Sequence, residues 1–221
     1  GGYDNDGFVD LVVANASAAG QNEFLYRNDG TGGMGVVNAP PLTSIGGRSY
    51  GCSWCDYDGD GDLDLFVANW NQAGFLFRNE GGGAFFRVTE GEVATTPGSW
   101  LGTAWGDYDN DGDSDLFVSN TYDQNNVLYR NDGGGTFVPI GDDPVVTSGG
   151  MSTGAAWGDF DNDGYLDLFV ANAAGQAAFL FHNERDGTFT RIYDGDVVDH
   201  TGNGVGAAWA DLDNDGFLDL F

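Results

Sequence analysis

The chain of 221 residues contains no lysine. Its only strong bases are seven arginines, set against 35 acids, for a formal net charge of −28. Such a chain has no basic footprint for a nucleic-acid backbone, so nucleic-acid binding is excluded. An anionic membrane surface is excluded on the same ground. No apolar run approaches the roughly 18 residues of a spanning helix, so membrane insertion is not expected. With only two cysteines there is no disulfide framework. The two histidines, His182 and His200, lie in unrelated contexts and make no catalytic constellation. Acidity combined with 38 glycines resembles a disordered composition. Aromatic residues at 14% argue instead for a packed core.

The acids are periodic. The segment from Asp107 to Asp115 (DYDNDGDSD) has near copies starting at Asp56, Asp159 and Asp211, and an incomplete one from Tyr3. Their third positions are Asp4, Asp58, Asp109, Asp161 and Asp213, spaced by 54, 51, 52 and 52 residues. Of the 35 acids, 21 lie in these five loops. Each loop follows small residues ending in Trp54, Trp105, Trp157 or Trp209 and precedes Leu-Phe-Val or a variant. Then come Phe24–Asn28, Phe75–Asn79, Val127–Asn131 and Phe179–Asn183, a glycine-rich turn, and a further short apolar run.

Each unit reads as four short strands bounded by Gly, Asn and Asp. No apolar period of 3.6 persists over ten residues, so no helix is expected. Four strands in about 52 residues predict an all-β fold, a β-propeller of four-stranded antiparallel blades. The approximate repeats are 1–48 (a partial blade lacking its first strand), 49–99, 100–150, 151–203 and 204–221 (partial). Such a chain is expected to be part of a larger ring or array. A closed four-bladed ring and an open chain that self-associates through blade edges are the alternatives.

Asp at loop positions 1, 3, 5 and 9 with Gly at 6 is a cation-loop pattern. Calcium takes six to eight hard oxygens at about 2.3–2.6 Å, and alternate aspartates on a tight loop supply them. Four carboxylates within about 4–5 Å of one another repel by several kcal/mol per pair unless a cation joins them. Magnesium suits the loop less, because it keeps its waters and demands a tighter octahedron. An EF-hand needs a bidentate Glu at position 12, where Val67, Val118 and Val170 stand here. The expected calcium ligands are Asp56, Asp58, Asp60, Asp62 and Asp64 in the second loop. In the third they are Asp107, Asp109, Asp111, Asp113 and Asp115. The fourth offers Asp159, Asp161, Asp163, Tyr165 and Asp167, and the fifth Asp211, Asp213, Asp215, Phe217 and Asp219. Position 7 of each loop contributes its carbonyl. In the first loop Gly2 replaces the first Asp, leaving Asp4, Asp6 and Asp10, so that site is expected to be weak or empty.

The run Trp105–Val118 together with Val127–Phe137 resembles the FG-GAP/VCBS-type repeat, a family that includes the integrin α-subunit propeller and many secreted bacterial proteins. The resemblance covers essentially the whole chain. It implies a β-propeller, often seven-bladed, with calcium in the loop between the first two strands of a blade. It further implies extracellular placement and a role in adhesion, ligand binding or scaffolding, with calcium structural.

Other residues are read as follows. Trp54, Trp105, Trp157 and Trp209 recur once per repeat, which favours core packing over sugar stacking. Trp70 and Trp100 fall outside the pattern and are the better candidates for a surface ligand contact. Arg27, Arg78 and Arg130 share one repeat position and are expected in structural ion pairs, with His182 taking that position in the fourth unit. Cys52 and Cys55 replace small residues of other repeats and lie too far apart on a strand to bond, so buried thiols are expected. No pair of catalytic carboxylates can be singled out, so an enzyme is not expected. The function read from sequence is a calcium-stabilised extracellular module with a protein or glycan partner. A lectin-like propeller, a filament subunit and a non-catalytic part of a secreted hydrolase or lyase are the alternatives.

Overall fold

A computed structural model describes residues 2–17 and 20–221. The strands are β1 (Leu11–Val13), β2 (Phe24–Asn28), β3 (Met34–Val37), β4 (Ser49–Cys55), β5 (Asp64–Ala73), β6 (Phe75–Asn79) and β7 (Phe85–Val88). A helical turn α1 (Glu92–Thr95) leads to β8 (Pro97–Gly106), β9 (Asp115–Asn120), β10 (Val127–Asn131) and β11 (Phe137–Pro139). After α2 (Pro144–Thr147) come β12 (Ser152–Gly158), β13 (Asp167–Asn172), β14 (Gln176–Ala177), β15 (Phe179–Asn183) and β16 (Phe189–Ile192). The chain continues through α3 (Asp196–Asp199), β17 (Thr201–Gly202), β18 (Trp209–Ala210) and β19 (Asp219–Leu220). It divides into two compact units, residues 1–100 with 133–137, and residues 101–132 with 138–221.

The fold is all-β, with one departure from the helix-free expectation. The linkers after the second, third and fourth repeats each wind into one helical turn. Such a turn is too short to carry an apolar period, so periodicity misses it. At α2 the cause is local: Pro144 opens the turn, and the Asp143 carboxylate accepts from the Val145 N–H at 2.9 Å.

In the first unit β1, β2 and β3 form a three-stranded antiparallel sheet, and β4 to β7 form an antiparallel meander in chain order. In the second unit β12, β13, β15 and β16 repeat that meander. The registers correspond. Leu65 lies between Trp54 and Phe77, as Leu168 lies between Trp157 and Phe181. Both first strands carry an irregularity at the same place, Ser49/Gly51 and Ser152/Gly154. The strands are less uniform than expected, since β5 and β8 run ten residues. The extension of β5 pairs Trp70 with Ser99.

The second strand of each meander is buried along both faces. β9 and β13 have no residue open to solvent. A strand covered on both sides needs an unbroken apolar run, which is the Leu-Phe-Val signature. Within each unit, neighbouring repeats meet through aromatic rings. Tyr108 of the third repeat stacks on Trp157 of the fourth, centroids 6.2 Å apart with planes 10° apart. Phe160 stacks on Trp209 at 6.4 Å and 17°. The indoles also donate back to the preceding repeat, Trp157 Nε1 to the Ala104 carbonyl at 3.3 Å and Trp209 Nε1 to that of Ala156 at 3.2 Å. In the first unit Tyr3 and Trp54 both pack on Phe85. Here Trp54, Trp157 and Trp209 are partly buried and pack against the core clusters. At Gly154 a Cβ would lie 2.7 Å from the Val205 carbonyl oxygen, so first strands approach backbone to backbone.

Two expectations about individual residues need correction or sharpening. Trp100 is only 4% exposed and is no surface contact; it folds over Gly98, whose missing side chain makes room for the indole. Trp70 remains half-buried, packed against Tyr50 with Arg48 over its ring. Cys52 and Cys55 are both thiols on β4 and half-buried, and burial pushes the Cys52 thiol up to about 11.

Trp157→Ala removes an indole that joins two repeats. It is expected to lower stability by about 3 kcal/mol, whereas Trp70→Ala costs under about 1 kcal/mol. Urea unfolding of the two variants checks this, and equal losses would contradict the core assignment.

Candidate functional site

Each acidic loop is closed by its ninth residue. Asp10, Asp64, Asp115 and Asp167 are buried. One carboxylate oxygen accepts from the backbone N–H at loop position 2: Tyr3 at 3.0 Å, Tyr57 at 3.1 Å, Tyr108 at 3.0 Å and Phe160 at 3.1 Å. The other accepts from the asparagine that ends the third strand: Asn28 at 2.8 Å, Asn79 at 2.7 Å, Asn131 at 2.8 Å and Asn183 at 2.9 Å. One buried acid therefore ties the start of the loop, its end and the third strand together. In the fifth loop Asp219 is exposed and accepts from the Leu212 N–H at 3.0 Å.

The first aspartate shapes the turn. Asp107 accepts from the N–H groups of Asp111 and Gly112, Asp159 from Asp163 and Gly164, and Asp211 from Asp215 and Gly216. Asp56 does the same for Asp60 and Gly61. At position 5, Asp60, Asp111, Asp163 and Asp215 accept from the N–H of residue 7. A carboxylate has about four lone-pair sites, so these bonds leave oxygen capacity facing inward.

Adjacent loops are latched to one another within a unit. Asn110 holds a left-handed φ of 59° and donates its amide to the Gly164 carbonyl of the next loop at 2.9 Å. Asn162 does the same to Gly216 at 2.9 Å. In the first unit Asn5 reaches the Asp62 carboxylate at 2.7 Å. Asn79 and Asn183 add a second tie, donating to the carbonyls of Tyr3 at 2.7 Å and Tyr108 at 2.8 Å in the preceding repeat. These asparagines were not singled out from sequence, although their recurrence beside Asp and before the turn is the signal that marks them.

The folding brings together oxygens from four of the five loops. Atoms of Asp56, Asp58 and Asp64 lie within 4.8 Å of one another, as do those of Asp107, Asp109 and Asp115, of Asp159, Asp161 and Asp163, and of Asp211, Asp213 and Asp219. Side chains of Asp60, Asp62, Asp111, Asp113, Asp167 and Asp215 lie outside these groups, Asp167 gathering instead with Asp161 and His182. Tyr165 and Phe217 stand at position 7, their N–H groups bonded to Asp163 and Asp215. The groups of three are oxygen-only and could hold a hard divalent cation. Burial pushes the carboxyls of Asp64 and Asp115 up to about 7 and that of Asp167 up to about 6. Desolvation also raises Asp58 and Asp109, with their acidic neighbours adding to it.

The first loop is different. Arg27 donates to Asp4 at 2.6 Å and to Asp6 at 2.7 Å, so a guanidinium stands between the two acids. The equivalent Arg78 and Arg130 pair instead with Glu80 and Asp132 just beyond their strands. In the fourth repeat His182 Nδ1 lies 3.2 Å from Asp167 and 3.5 Å from Asp161, and Arg185 holds Asp163 at 2.7 Å. Sequence reading placed His182 in the arginine column, and there it faces two acids as the arginines face theirs.

Comparison with known proteins follows this geometry. The profile of the FG-GAP-like repeat matches residues 3–67, 56–118, 107–170 and 159–221, each match running from one acidic loop into the strand after the next. Cartilage acidic protein 1 of Xenopus tropicalis is 28% identical over 170 residues, covering 70% of this chain and 25% of that protein. The Mus musculus protein of the same name is 30% identical over 167 residues, covering 71% and 26%. The chain thus spans about a quarter of the length of these curated relatives. Among solved structures, an Agrocybe aegerita lectin, described for specific recognition of non-reducing terminal N-acetylglucosamine, aligns over 96% of this chain and 60% of its own with a TM-score of 0.55. At 19% identity that likeness is one of fold.

Asp115→Ala strands two buried N–H groups and is expected to cost about 3 kcal/mol even in chelator, whereas the more exposed Asp113→Ala costs under about 1 kcal/mol. The raised carboxyls also set a pH dependence. Between about pH 4 and pH 7 the folded, metal-free chain holds protons on Asp64, Asp115 and Asp167 that the unfolded chain has released. Stability in EDTA therefore falls as pH rises through that window and levels off above it. Thermal melts in EDTA read this directly, and a melting temperature that climbs across the window contradicts it.

Proposed function

The chain belongs to the FG-GAP-like repeat family, and from that premise we propose that its repeats are blades of a calcium-stabilised extracellular β-propeller that serves in ligand binding or adhesion. Calcium is structural in this reading. The observation that carries it is the set of four oxygen-only carboxylate groups, each within 4.8 Å, in a chain without lysine. Carboxylates at such distances repel by several kcal/mol per pair at an effective dielectric of 20. The loop latches add to this by holding one acidic loop beside the next. Asp56, Asp58 and Asp64 would hold one ion, Asp107, Asp109 and Asp115 a second, Asp159, Asp161 and Asp163 a third, and Asp211, Asp213 and Asp219 a fourth. Position 5 carboxylates and position 7 carbonyls are the remaining oxygens each shell would draw on.

The first loop takes no ion in this reading, because Arg27 already neutralises Asp4 and Asp6. Extracellular placement follows from affinity: loops of this kind fill at millimolar calcium and stand largely empty at cytosolic concentrations. The module is non-catalytic. A carbohydrate partner is the second reading, favoured by a polar recess away from the acidic loops and by the fold shared with a lectin.

Calcium is expected to bind with a stoichiometry of four and to raise the melting temperature, each site adding about 2.7 kcal/mol at a hundredfold excess over its dissociation constant. Asp109→Ala should lower the stoichiometry by one, and Arg27→Gln should not lower it. Calorimetry and thermal melts in EDTA and in calcium test this; superimposable melts would overturn the reading.

A further inference from the structure

The acidic loops join the first and second strands of each repeat. The hairpin between the second and third strands, and the linker into the next repeat, lie at the other end of an antiparallel meander. In the second unit that end carries a recess of about 450 Å³. Asp123, Ser148, Gln176, Phe179 and Arg191 line it beside Gly149 and Gly150. Arg191 sits over two rings, its Cζ 3.9 Å from the centre of Phe179 and 4.9 Å from that of Tyr193. Its Nε is buried with no hydrogen-bond partner. Gln176 is fixed at both ends, accepting from the Met151 N–H at 2.8 Å and donating to Asp123 at 2.8 Å. Tyr122 and Asp123 both hold a left-handed backbone, φ 61° and 55°, which is uncommon away from glycine and marks a built corner.

Part of this constellation recurs in the first unit. Gln72-Ala73 with Phe75 stands where Gln176-Ala177 with Phe179 stands in the fourth repeat. Gly46 and Gly47 of the preceding linker match Gly149 and Gly150, with Ile45 where Ser148 stands, and Arg87 matches Arg191. Arg87 lies over Phe75 at 4.3 Å, and both its Nε and the Gln72 amide nitrogen are buried without a partner. The third repeat has Val127 and Pro139 in place of the phenylalanine and the arginine. Packing alone does not require the set, since that repeat folds without it.

The charge pattern adds a second argument. Arg27, Arg78, Arg130 and Arg185 each pair with an acid. Arg87 and Arg191, like Arg48 over Trp70, make no ion pair among the described residues, in a chain with 35 acids. They are held on rings with donors unspent.

A recess of acids alone selects cations, and one of arginine alone selects anions. This one sets guanidinium and amide donors beside a carboxylate and a hydroxyl. Sugar hydroxyls both donate and accept, so a mixed set of this kind suits them. The volume lies within the range of about 300–1,000 Å³ typical of small-ligand sites. A net charge of −28 disfavours a polyanion. We propose that the Arg191 recess and its Arg87 counterpart are subsites for a neutral saccharide, the first tighter because Asp123 lines it as a carboxylate acceptor. This names the ligand of the binding module above and rests on that reading.

The test is a glycan array and calorimetry on the full chain in millimolar calcium, with neutral hexose and N-acetylhexosamine glycans beside uronate- and sialate-bearing ones and an acidic peptide. Neutral glycans are expected to bind. Arg191→Met keeps a side chain over Phe179 but removes its donors, and should weaken binding roughly tenfold. Arg87→Met with Arg191→Met should abolish it, and Asp123→Asn should weaken it in a chain that melts as the parent does. The inference is overturned by no neutral glycan bound, by binding that the double variant leaves unchanged, or by selectivity for the acidic glycans or the peptide. Melts run on the same samples separate the two readings. A calcium-raised melting temperature without glycan binding sinks only the sugar inference, and an unmoved one sinks the calcium reading.

Discussion

The buried aspartate at the ninth loop position is the contact on which each repeat depends. It accepts two backbone N–H groups, one at the start of its own loop and one at the end of the third strand. Leaving either donor buried and unmade costs about 1–3 kcal/mol, so the acid is structural before any cation is considered. Its desolvation raises the carboxyl well above the ordinary range, which is a cost the metal-free fold carries in every complete repeat. A divalent cation beside Asp58 or Asp109 would reverse that cost by favouring the ionised form. The residues that hold the fold and those of the proposed cation site are therefore the same.

The arginines divide along the same line. Four of the seven answer acids at or near the loops, and Arg27 does so fully enough to replace a cation between Asp4 and Asp6. Arg87 and Arg191 lie at the far end of their repeats, over phenylalanine rings. One end of a repeat thus gathers carboxylate oxygens, and the other carries guanidinium and amide donors. Between them the aromatic column of Tyr108, Trp157, Phe160 and Trp209 transmits nothing chemical; it holds neighbouring repeats in register within the second unit.

Much of this was legible in the chain. The spacing of Asp4, Asp58, Asp109, Asp161 and Asp213 set the repeat length, and Leu-Phe-Val runs marked strands buried on both faces. The departure of the first loop from the pattern was visible in Gly2. Other features were hidden because their cause is not local. A single helical turn at Pro144 has no period to detect, and Trp100 reads as an outlier until it is seen folded over Gly98.

The sequence by itself determined the repeat, the all-β class, the residues of the acidic loops and their shortage of counter-ions, because these follow from spacing and composition. The tertiary structure decided which oxygens converge and which turn away. It also decided that asparagines latch one loop to the next, and that Gln176, Arg191 and Asp123 share a recess. Those facts arise between strands some 50 residues apart, where backbone hydrogen bonding and packing set the distances and no pattern along the chain records them.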